Sequence, residues 1–267
     1  MAEPLGRVLA IAGSDSGGGA GIQADIKTIT ALGGYAATAI TAITVQNTLG
    51  VSEVFPLPPG LVSAQARAVL EDIGADAIKL GMLGTAEMIE TVAAILDGAR
   101  GVPAVIDPVM LAKGGAVLLD SRALDALRAL LVPRAMLLTP NAPEAAALTG
   151  IEIVTTDDLR RAGEALLAAG AGAVLMKGGH VPGQRVTDVL MTPAGETTFE
   201  GPRVDTRHTH GTGCTLASAC AVGLAEGLPL DRAAARAFAY VAEAIVRAPG
   251  LGAGHGPLDH GWPLRDR

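Results

Sequence analysis

Short aliphatic segments alternate with helical patterns along most of this chain, and that alternation limits the folds available to it. The segments rich in Val, Ile, Leu and Ala predict strands at 7–12, 35–45, 77–80, 104–107, 136–139 and 173–177. Helical patterns separate them at 22–32, 61–72, 86–96, 121–131, 144–149 and 157–169. Strands that alternate with helices predict a mostly parallel sheet with helices on both faces, an α/β fold.

The last third of the chain departs from strict alternation. Segments 186–191 and 197–200 predict two strands of a meander, and two helices are predicted at 213–226 and 230–247. The chain shows neither a linker-like stretch nor a solenoid repeat, so we predict one domain over residues 1–267. In such a sheet, ligands bind at the carboxyl ends of the strands.

The composition limits the possible partners. Hydrophobic residues make up 49 % of the 267 residues but aromatic residues only 2 %, so the core must be built from Ala, Val, Leu and Ile. A net charge of −7 argues against nucleic acid or an anionic membrane as the main partner. It leaves a local phosphate site possible.

Neither a membrane span nor a secretory signal is predicted. Apolar runs stay well below ~20 residues, and the first residues lack a basic region followed by an apolar core. Cys214 and Cys220 fall on one predicted helix, where they are poorly placed for a disulfide. These features predict a cytoplasmic protein.

The most informative segment is Gly211-Thr212-Gly213-Cys214, directly before an Ala-rich helical run. Two glycines permit a sharp turn, and the helix start behind them leaves unpaired backbone N–H groups. Anions, and phosphates above all, bind at such a helix start. The same field favours the thiolate of Cys214. The alternative is that the glycines only shape a turn and that Cys214 is a small apolar residue.

A glycine-rich segment follows the first strand, from Gly13 to Asp25. It matches neither the phosphate-binding P-loop nor the dinucleotide pattern. We interpret it as a backbone that passes close to a small molecule, with Asp25 offering a carboxylate acceptor. A flexible strand-to-helix turn is the alternative interpretation.

Polar side chains follow three further strands. Gln46 can both donate and accept, which suits a heteroaromatic ring with an amino group, although a glutamine in this setting, taken alone, is more often a solvated loop residue. Asp107, followed by the segment 108–115, is placed to hold hydrated magnesium or to act as a turn residue. Lys177 precedes two glycines and could contact a phosphate.

Asn141 and Glu144 are spaced so that both can face one point at a helix start. Together they could position magnesium through waters, or form a capping box, and the two roles can coexist. His208 and His210 have strand spacing, but without a suitably spaced further ligand we do not predict a transition-metal site. His255 and His260 are expected to be solvated or to contact the tail.

Taken in order, these motifs resemble the ribokinase-like superfamily, and more narrowly the hydroxymethylpyrimidine and phosphomethylpyrimidine kinases of thiamine biosynthesis. The resemblance is carried by the segments 13–25, 45–48, 79–83, 107–115, 139–145, 177–180, 211–215 and 252–260. Cys214 is the sharpest feature, because sugar kinases of the superfamily have an aspartate there. Ser16, where the family commonly has proline, is a tolerated departure.

The resemblance implies a three-layer α/β/α sandwich that uses ATP and Mg²⁺. It implies phosphorylation of 4-amino-5-hydroxymethyl-2-methylpyrimidine and then of its monophosphate. The pyrimidine pocket would be lined by Gly13, Asp25, Gln46, Met82 and Val109. Magnesium and its waters would be organised by Asp107, Asn141 and Glu144, and the nucleotide phosphates would face Lys177. The anion hole would consist of Gly211, Thr212 and Gly213, and the hydroxyl proton would pass to Cys214.

Two other functions stay open at this stage. Some pyridoxal kinases share the fold and the terminal cysteine motif, and pyridoxal also carries a hydroxymethyl group on an aza-ring. A non-catalytic pyrimidine sensor would keep the pocket but would have no need for Cys214, Asn141 and Glu144. The resemblance also implies a homodimer.

Overall fold

One sheet joins all the strands that can be described. The computed structural model describes residues 5–110 and 121–266. Within them the strand order is β3-β2-β1-β4-β5-β6-β7-β8-β9. The six central strands β2, β1, β4, β5, β6 and β7 run parallel, while β3, β8 and β9 pair antiparallel at the edges.

The strands match the predicted alternation closely. Their bounds are β1 Arg7–Asp15, β2 Tyr35–Asn47, β3 Gly50–Pro56, β4 Ala77–Leu80, β5 Ala104–Ile106, β6 Leu137–Leu138, β7 Val174–Met176, β8 Arg185–Thr192 and β9 Gly195–Pro202. The predicted strands are confirmed, and β3 is an addition. It was missed because its residues are mostly exposed and carry no buried run.

The helices also follow the predicted pattern. They are α1 Gly21–Ala31, α2 Pro59–Asp72, α3 Ala86–Gly98, α4 Ser121–Ala126, α5 Ala142–Thr149, α6 Thr156–Ala168, α7 Thr212–Ala225, α8 Leu230–Val246 and the short α9 Trp262–Arg265. A π-helical turn, Leu127–Leu131, continues α4, and Val132–Arg134 and Gly178–His180 form 3₁₀ turns. The predicted helix at 121–131 therefore changes its winding half-way.

Two apolar layers lie on opposite faces of the sheet. On one face, Ile78 and Leu80 of β4 pack with residues of α2, α3, α5 and α6. On the other, Val8 of β1 packs with α1, α7 and α8, where small residues such as Ala217 and Ala234 bring the helices close to the sheet. Burial therefore comes from aliphatic residues, and the result is the three-layer α/β/α sandwich that the resemblance implies.

This topology positions the polar motifs. In a parallel sheet the carboxyl ends of neighbouring strands meet at one edge, so the loops after β1, β5, β6 and β7 converge. The helix α7 begins at the same edge. The part of the predicted Asp107 loop that contains Lys113 lies outside the described residues.

Candidate active site

A cleft of about 1610 Å³ opens at the carboxyl ends of the parallel strands. It is larger than the roughly 300–1,000 Å³ typical of one small ligand, so it has room for two. Of the residues that the sequence singles out, the cleft is lined by Gly13, Gln46, Met82, Asp107, Val109, Asn141, Glu144, Lys177, Gly211, Thr212, Gly213 and Cys214. Asp25 is the exception.

The first turn of α7 faces this cleft. Gly211 caps the helix with φ of 86°, a conformation that favours glycine, and a Cβ there would lie 1.8 Å from the Gly19 carbonyl oxygen. The Thr212 hydroxyl donates to the Thr209 carbonyl at 2.7 Å and holds the turn. The amides of this first turn have no partner four residues earlier within the helix, so the helix start is suited to an anion.

Gly213 stands against a charged cluster. A Cβ at this position would lie 3.0 Å from Lys177 Nζ and 3.3 Å from Asp107 Oδ2. Any larger residue would therefore displace one of these groups or close the space in front of them.

The charged cluster consists of Lys177, Asp107 and Glu144. Lys177 Nζ donates to Asp107 Oδ1 at 2.7 Å and lies 3.7 Å from Glu144 Oε2. Burial alone would lower the pKa of Lys177, but the two carboxylates outweigh it and raise the pKa. Burial also raises the pKa of Glu144 to about 7, against the opposing effect of Lys177.

Asn141 and Glu144 form the capping box that was one of their two predicted roles. Asn141 Oδ1 accepts from the Glu144 amide at 2.9 Å, and Glu144 Oε2 accepts from the Asn141 amide at 2.8 Å. These bonds fix the direction of the Glu144 carboxylate toward Lys177. The magnesium role of the two residues stays a prediction.

Cys214 corrects one expectation. Its side chain is half-buried at the cleft, and burial raises the pKa of its thiol to about 11. The nearby Lys79 ammonium opposes this effect without cancelling it. The expected thiolate is therefore disfavoured overall, because desolvation and the carboxylates of Asp25 and Asp107 outweigh the charge of Lys79.

Asp25 corrects a second expectation. Its side chain is fully buried and does not line the cleft. Both carboxylate oxygens accept from Lys79 Nζ, at 2.8 and 3.0 Å, and Oδ1 also accepts from the Ser218 hydroxyl at 2.7 Å. The predicted acceptor for a small molecule is instead an internal link between α1, β4 and α7.

The other predicted pocket residues also line the cleft. The space beside Gly13 is occupied by Met82, whose Cε would lie 3.3 Å from a Cβ on Gly13. Gln46 is half-buried between Thr44 and His210, at 3.2 Å from each. The Val109 amide donates to the Asp107 carbonyl at 2.8 Å, which turns the chain after β5.

Two site residues escaped the sequence analysis. Asp15 accepts from the backbone amides of Gly17 and Ala20, both at 2.8 Å, and contacts His210 Nε2 at the same distance. Both side chains are buried and line the cleft. From the sequence, His210 is a candidate only for metal binding. The sequence signal for Asp15 is an acidic residue inside a glycine-rich loop, because the backbone amides of such a loop can donate to a carboxylate.

His260 is also more than a tail contact. It is 3 % exposed, and its Nε2 lies 3.0 Å from the Thr215 hydroxyl in α7. Burial lowers the pKa of His260 to about 4, so the ring is neutral. This contact joins the carboxyl-terminal segment to α7, whose first turn faces the cleft. His260 is therefore not solvated.

Known proteins match this chain over nearly its full length. The family model for phosphomethylpyrimidine kinase matches residues 15–259. The chain belongs to the phosphomethylpyrimidine kinase family. A hydroxymethylpyrimidine/phosphomethylpyrimidine kinase of Streptomyces coelicolor is 51 % identical over 257 residues, 96 % of this chain and 95 % of the relative. The family consists of phosphotransferases, and the predicted recognition is confirmed.

Solved structures confirm the ribokinase-like fold. The phosphomethylpyrimidine kinase of Clostridium difficile is 42 % identical with a TM-score of 0.80, covering 90 % of this chain and 99 % of its own. A pyridoxal kinase of Bacillus subtilis, solved as an ADP complex, is 36 % identical with a TM-score of 0.90, covering 99 % and 100 %. Among the described residues, each helix is too short or too polar to cross a membrane.

Proposed function

We propose that this chain transfers the γ-phosphate of ATP to the hydroxymethyl group of 4-amino-5-hydroxymethyl-2-methylpyrimidine, and then to the resulting monophosphate, in thiamine biosynthesis. The family supports this chemistry, since its members are named for it. The observation that carries the proposal is the joint placement of the α7 helix start and Lys177 within the cleft that also contains Gln46.

The proposed roles follow from the charge that moves. The transferred phosphoryl group passes through a loose transition state, so positioning and charge stabilisation contribute more than activation of the nucleophile. The amides of Gly211, Thr212 and Gly213 would donate hydrogen bonds to the phosphate oxygens, and Lys177 would face the nucleotide phosphates. Gln46, with Gly13, Met82 and Val109, would hold the pyrimidine in the same cleft.

The carboxylates fit Mg²⁺ held partly through water. Asp107 and Glu144 offer hard oxygen donors beside Lys177, and within residues 5–110 and 121–266 no group of three or more His, Cys, Asp or Glu forms an all-protein cage. Mg²⁺ commonly binds through one or two carboxylates, with waters and substrate phosphates completing its shell. When bound, the ion would neutralise phosphate charge during transfer.

Cys214 has a limited part in this proposal. With a thiol pKa of about 11, most of the protein carries a neutral Cys214 near neutral pH. It would lie beside the attacking hydroxyl, and in the small fraction of molecules that carry the thiolate it would accept the hydroxyl proton. Because the transition state is loose, proton abstraction by Cys214 contributes little to the rate, and the positioning of the two substrates contributes most of it.

A second candidate substrate is pyridoxal. The pyridoxal kinase of Staphylococcus aureus, solved with AMP-PCP and pyridoxal, has a TM-score of 0.90 and 34 % identity to this chain. Its nucleotide ligand also supports ATP as the phosphate donor here. Gln46 favours the aminopyrimidine, because an amide can accept from an amino group and donate to a ring nitrogen together.

The test is ADP release from Mg-ATP with hydroxymethylpyrimidine, its monophosphate and pyridoxal as parallel acceptors. We expect turnover with both pyrimidines and much less with pyridoxal. Turnover with pyridoxal alone would keep the chemistry but overturn the assignment of Gln46. If none of the three acceptors gave ADP, the result would favour the non-catalytic pyrimidine sensor.

The same proposal includes a homodimer. Ile43 and Phe55 form a cross-strand pair at the edge of the sheet and are 49 % and 61 % exposed. Sedimentation equilibrium would test this, with about twice the chain mass of 26.7 kDa expected. A single species at the chain mass would contradict it.

A further inference from the structure

Asp15, His210 and Gln46 form a chain of polar contacts between the loop after β1, the loop before α7 and the end of β2. His210 Nε2 lies 2.8 Å from Asp15 Oδ2 and 3.2 Å from Gln46 Nε2. The proposed function uses only Gln46, which would hold the pyrimidine. Of the other two residues, His210 contacts Gln46 and Asp15 contacts His210, and both side chains are buried and line the cleft.

Asp15 determines which ring nitrogen of His210 carries a proton. An ionised carboxylate only accepts hydrogen bonds, and this one already accepts from three amides, those of Gly17, Gly19 and Ala20. Burial raises the pKa of Asp15, but the hydrogen bonds from His210 and the amides outweigh it and lower the pKa overall. His210 must therefore carry a proton on Nε2.

Thr44 sets the same constraint from the other side of Gln46. The Thr44 hydroxyl donates its one proton to the Ser14 carbonyl at 2.9 Å, so toward Gln46 it can only accept. The Gln46 atom 3.2 Å from Thr44 Oγ1 is thus the NH₂ nitrogen. The atom 3.2 Å from His210 Nε2 must then be the oxygen, because a protonated Nε2 has no lone pair that could accept from the NH₂ group, and its one N–H is shared between Asp15 Oδ2 and this oxygen. Both neighbours therefore require the Gln46 side-chain amide to be flipped, so that its oxygen faces His210 and its nitrogen faces Thr44.

We propose that the Asp15–His210 pair is a positioning device that locks the Gln46 amide, with its oxygen toward His210 and its nitrogen toward Thr44, and so sets which heteroaromatic ring the cleft selects. This inference rests on the proposed function. The locked amide offers the ligand one oxygen lone pair and one N–H in a fixed order. An aminopyrimidine offers the complementary pair, an amino group that donates and a ring nitrogen that accepts.

The first test reads the proton itself in the protein without any ligand. Long-range ¹H–¹⁵N NMR spectra report which ring nitrogen of a histidine is protonated. The His210 signal is assigned by its loss in His210→Gln. We expect a proton on Nε2. A neutral ring with its proton on Nδ1 and a bare Nε2 would overturn the proposal, whatever the protein phosphorylates.

The second test separates ligand positioning from a structural role. His210→Phe keeps a ring but removes the donor, and His210→Gln restores an N–H at a similar reach. For His210→Phe we expect KM for hydroxymethylpyrimidine to rise about tenfold, the loss expected for one oriented hydrogen bond, with kcat and KM for ATP within about twofold. His210→Gln should recover most of the affinity, and discrimination against pyridoxal should fall only in the Phe variant.

His255→Gln is the matched control, because His255 is exposed in the carboxyl-terminal segment that also contacts the loop of His210. It should behave as the native chain. A His210→Phe variant in which kcat and KM for ATP change while KM for the pyrimidine does not would overturn the proposal. If the native chain phosphorylates no pyrimidine, the proposed function fails, and the NMR measurement still decides whether the lock exists.

Discussion

Two buried lysine–aspartate pairs lie near each other in this molecule and serve different ends. Lys79 and Asp25 are 2.8 Å apart, and both side chains are completely sealed. Lys177 and Asp107 are 2.7 Å apart, but Lys177 is 11 % exposed and opens on the cleft. The first pair joins elements of the fold, whereas the second stands where a ligand can reach it.

The charge balance sharpens this contrast. Lys79 has one carboxylate as its hydrogen-bond partner, while Lys177 has Asp107 and also Glu144 nearby. Glu144 carries a pKa of about 7 as a result of burial, which places it ready to gain or lose a proton. The fully buried Lys79–Asp25 pair has no net charge and only stabilises the fold. The cluster of Lys177, Asp107 and Glu144 is open to the cleft, so it can bind a cation or a phosphate. Residue type alone does not separate these cases.

The largest expected effect is on stability, from Asp25→Asn. This change leaves the Lys79 ammonium buried without its carboxylate, which costs about 3–5 kcal/mol of unfolding free energy. Urea denaturation measures it. The matched control is Asp97→Asn, in an exposed pair with Arg134 at 2.8 Å, where a much smaller loss is expected because water screens the pair. Equal losses in both variants would show that the sealed pair is not special.

Gly213→Val should act on turnover. Its Cβ would stand 3.0 Å from Lys177 Nζ, so the branched side chain would block the proposed phosphate site. We expect kcat/KM to fall about 100-fold, comparable to the loss of an anion-hole donor. Gly60 has the same position in the first turn of α2 and open space around it, so Gly60→Val is the control. Similar turnover in both variants would remove Gly213 from the site.

Cys214→Ala should cost less. Since the thiol is mostly neutral and the transition state loose, we expect turnover to fall about ten- to a hundredfold and to stay measurable. Cys214→Asp should retain activity as well. Cys220→Ala, at a fully buried position of the same helix, should leave turnover unchanged. Background activity in Cys214→Ala with substrate still bound would show that the base matters more than this account allows.

The smallest expected effect is the pH dependence that Glu144 contributes. Its pKa rises from 4.5 to about 7 on folding, so the folded protein holds this proton more tightly than the unfolded chain. The stabilisation is full below pH 4.5 and is lost as the pH rises through about 7.

Glu144→Gln keeps the capping box but removes this titration. The difference in unfolding free energy between the native chain and the variant should shift by on the order of 1–2 kcal/mol between about pH 5 and about pH 8. The native chain gains relative stability at the acidic end. A difference that does not change with pH would contradict the raised pKa.

The fold could be predicted almost entirely from the sequence, because periodicity reports burial. The strand Ala77–Leu80 and the helix start near residue 86 coincide with the predicted elements. The exception is β3, an exposed edge strand whose side chains carry no buried pattern. The turn before α7 could also be predicted from the sequence, since Gly211 has the positive φ that its place before the helix indicates.

The site could be predicted only in part, because pairing between distant residues leaves little local signal. Asp25 and Asp15 lie in one glycine-rich segment, and nothing in their neighbours tells which faces inward. The sheet settles this by bringing Lys79 to Asp25 and His210 to Asp15. The raised pKa of Cys214 is likewise set by burial from several elements at once.

The most direct test of the central contrast is Lys177→Met, measured for both turnover and stability. If the open cluster carries the chemistry, kcat/KM with hydroxymethylpyrimidine should fall at least about 100-fold. The unfolding free energy should fall less than in Asp25→Asn, because Glu144 can take up a proton beside the cleft. Turnover within tenfold of the native chain, or a stability loss equal to that of Asp25→Asn, would contradict the account.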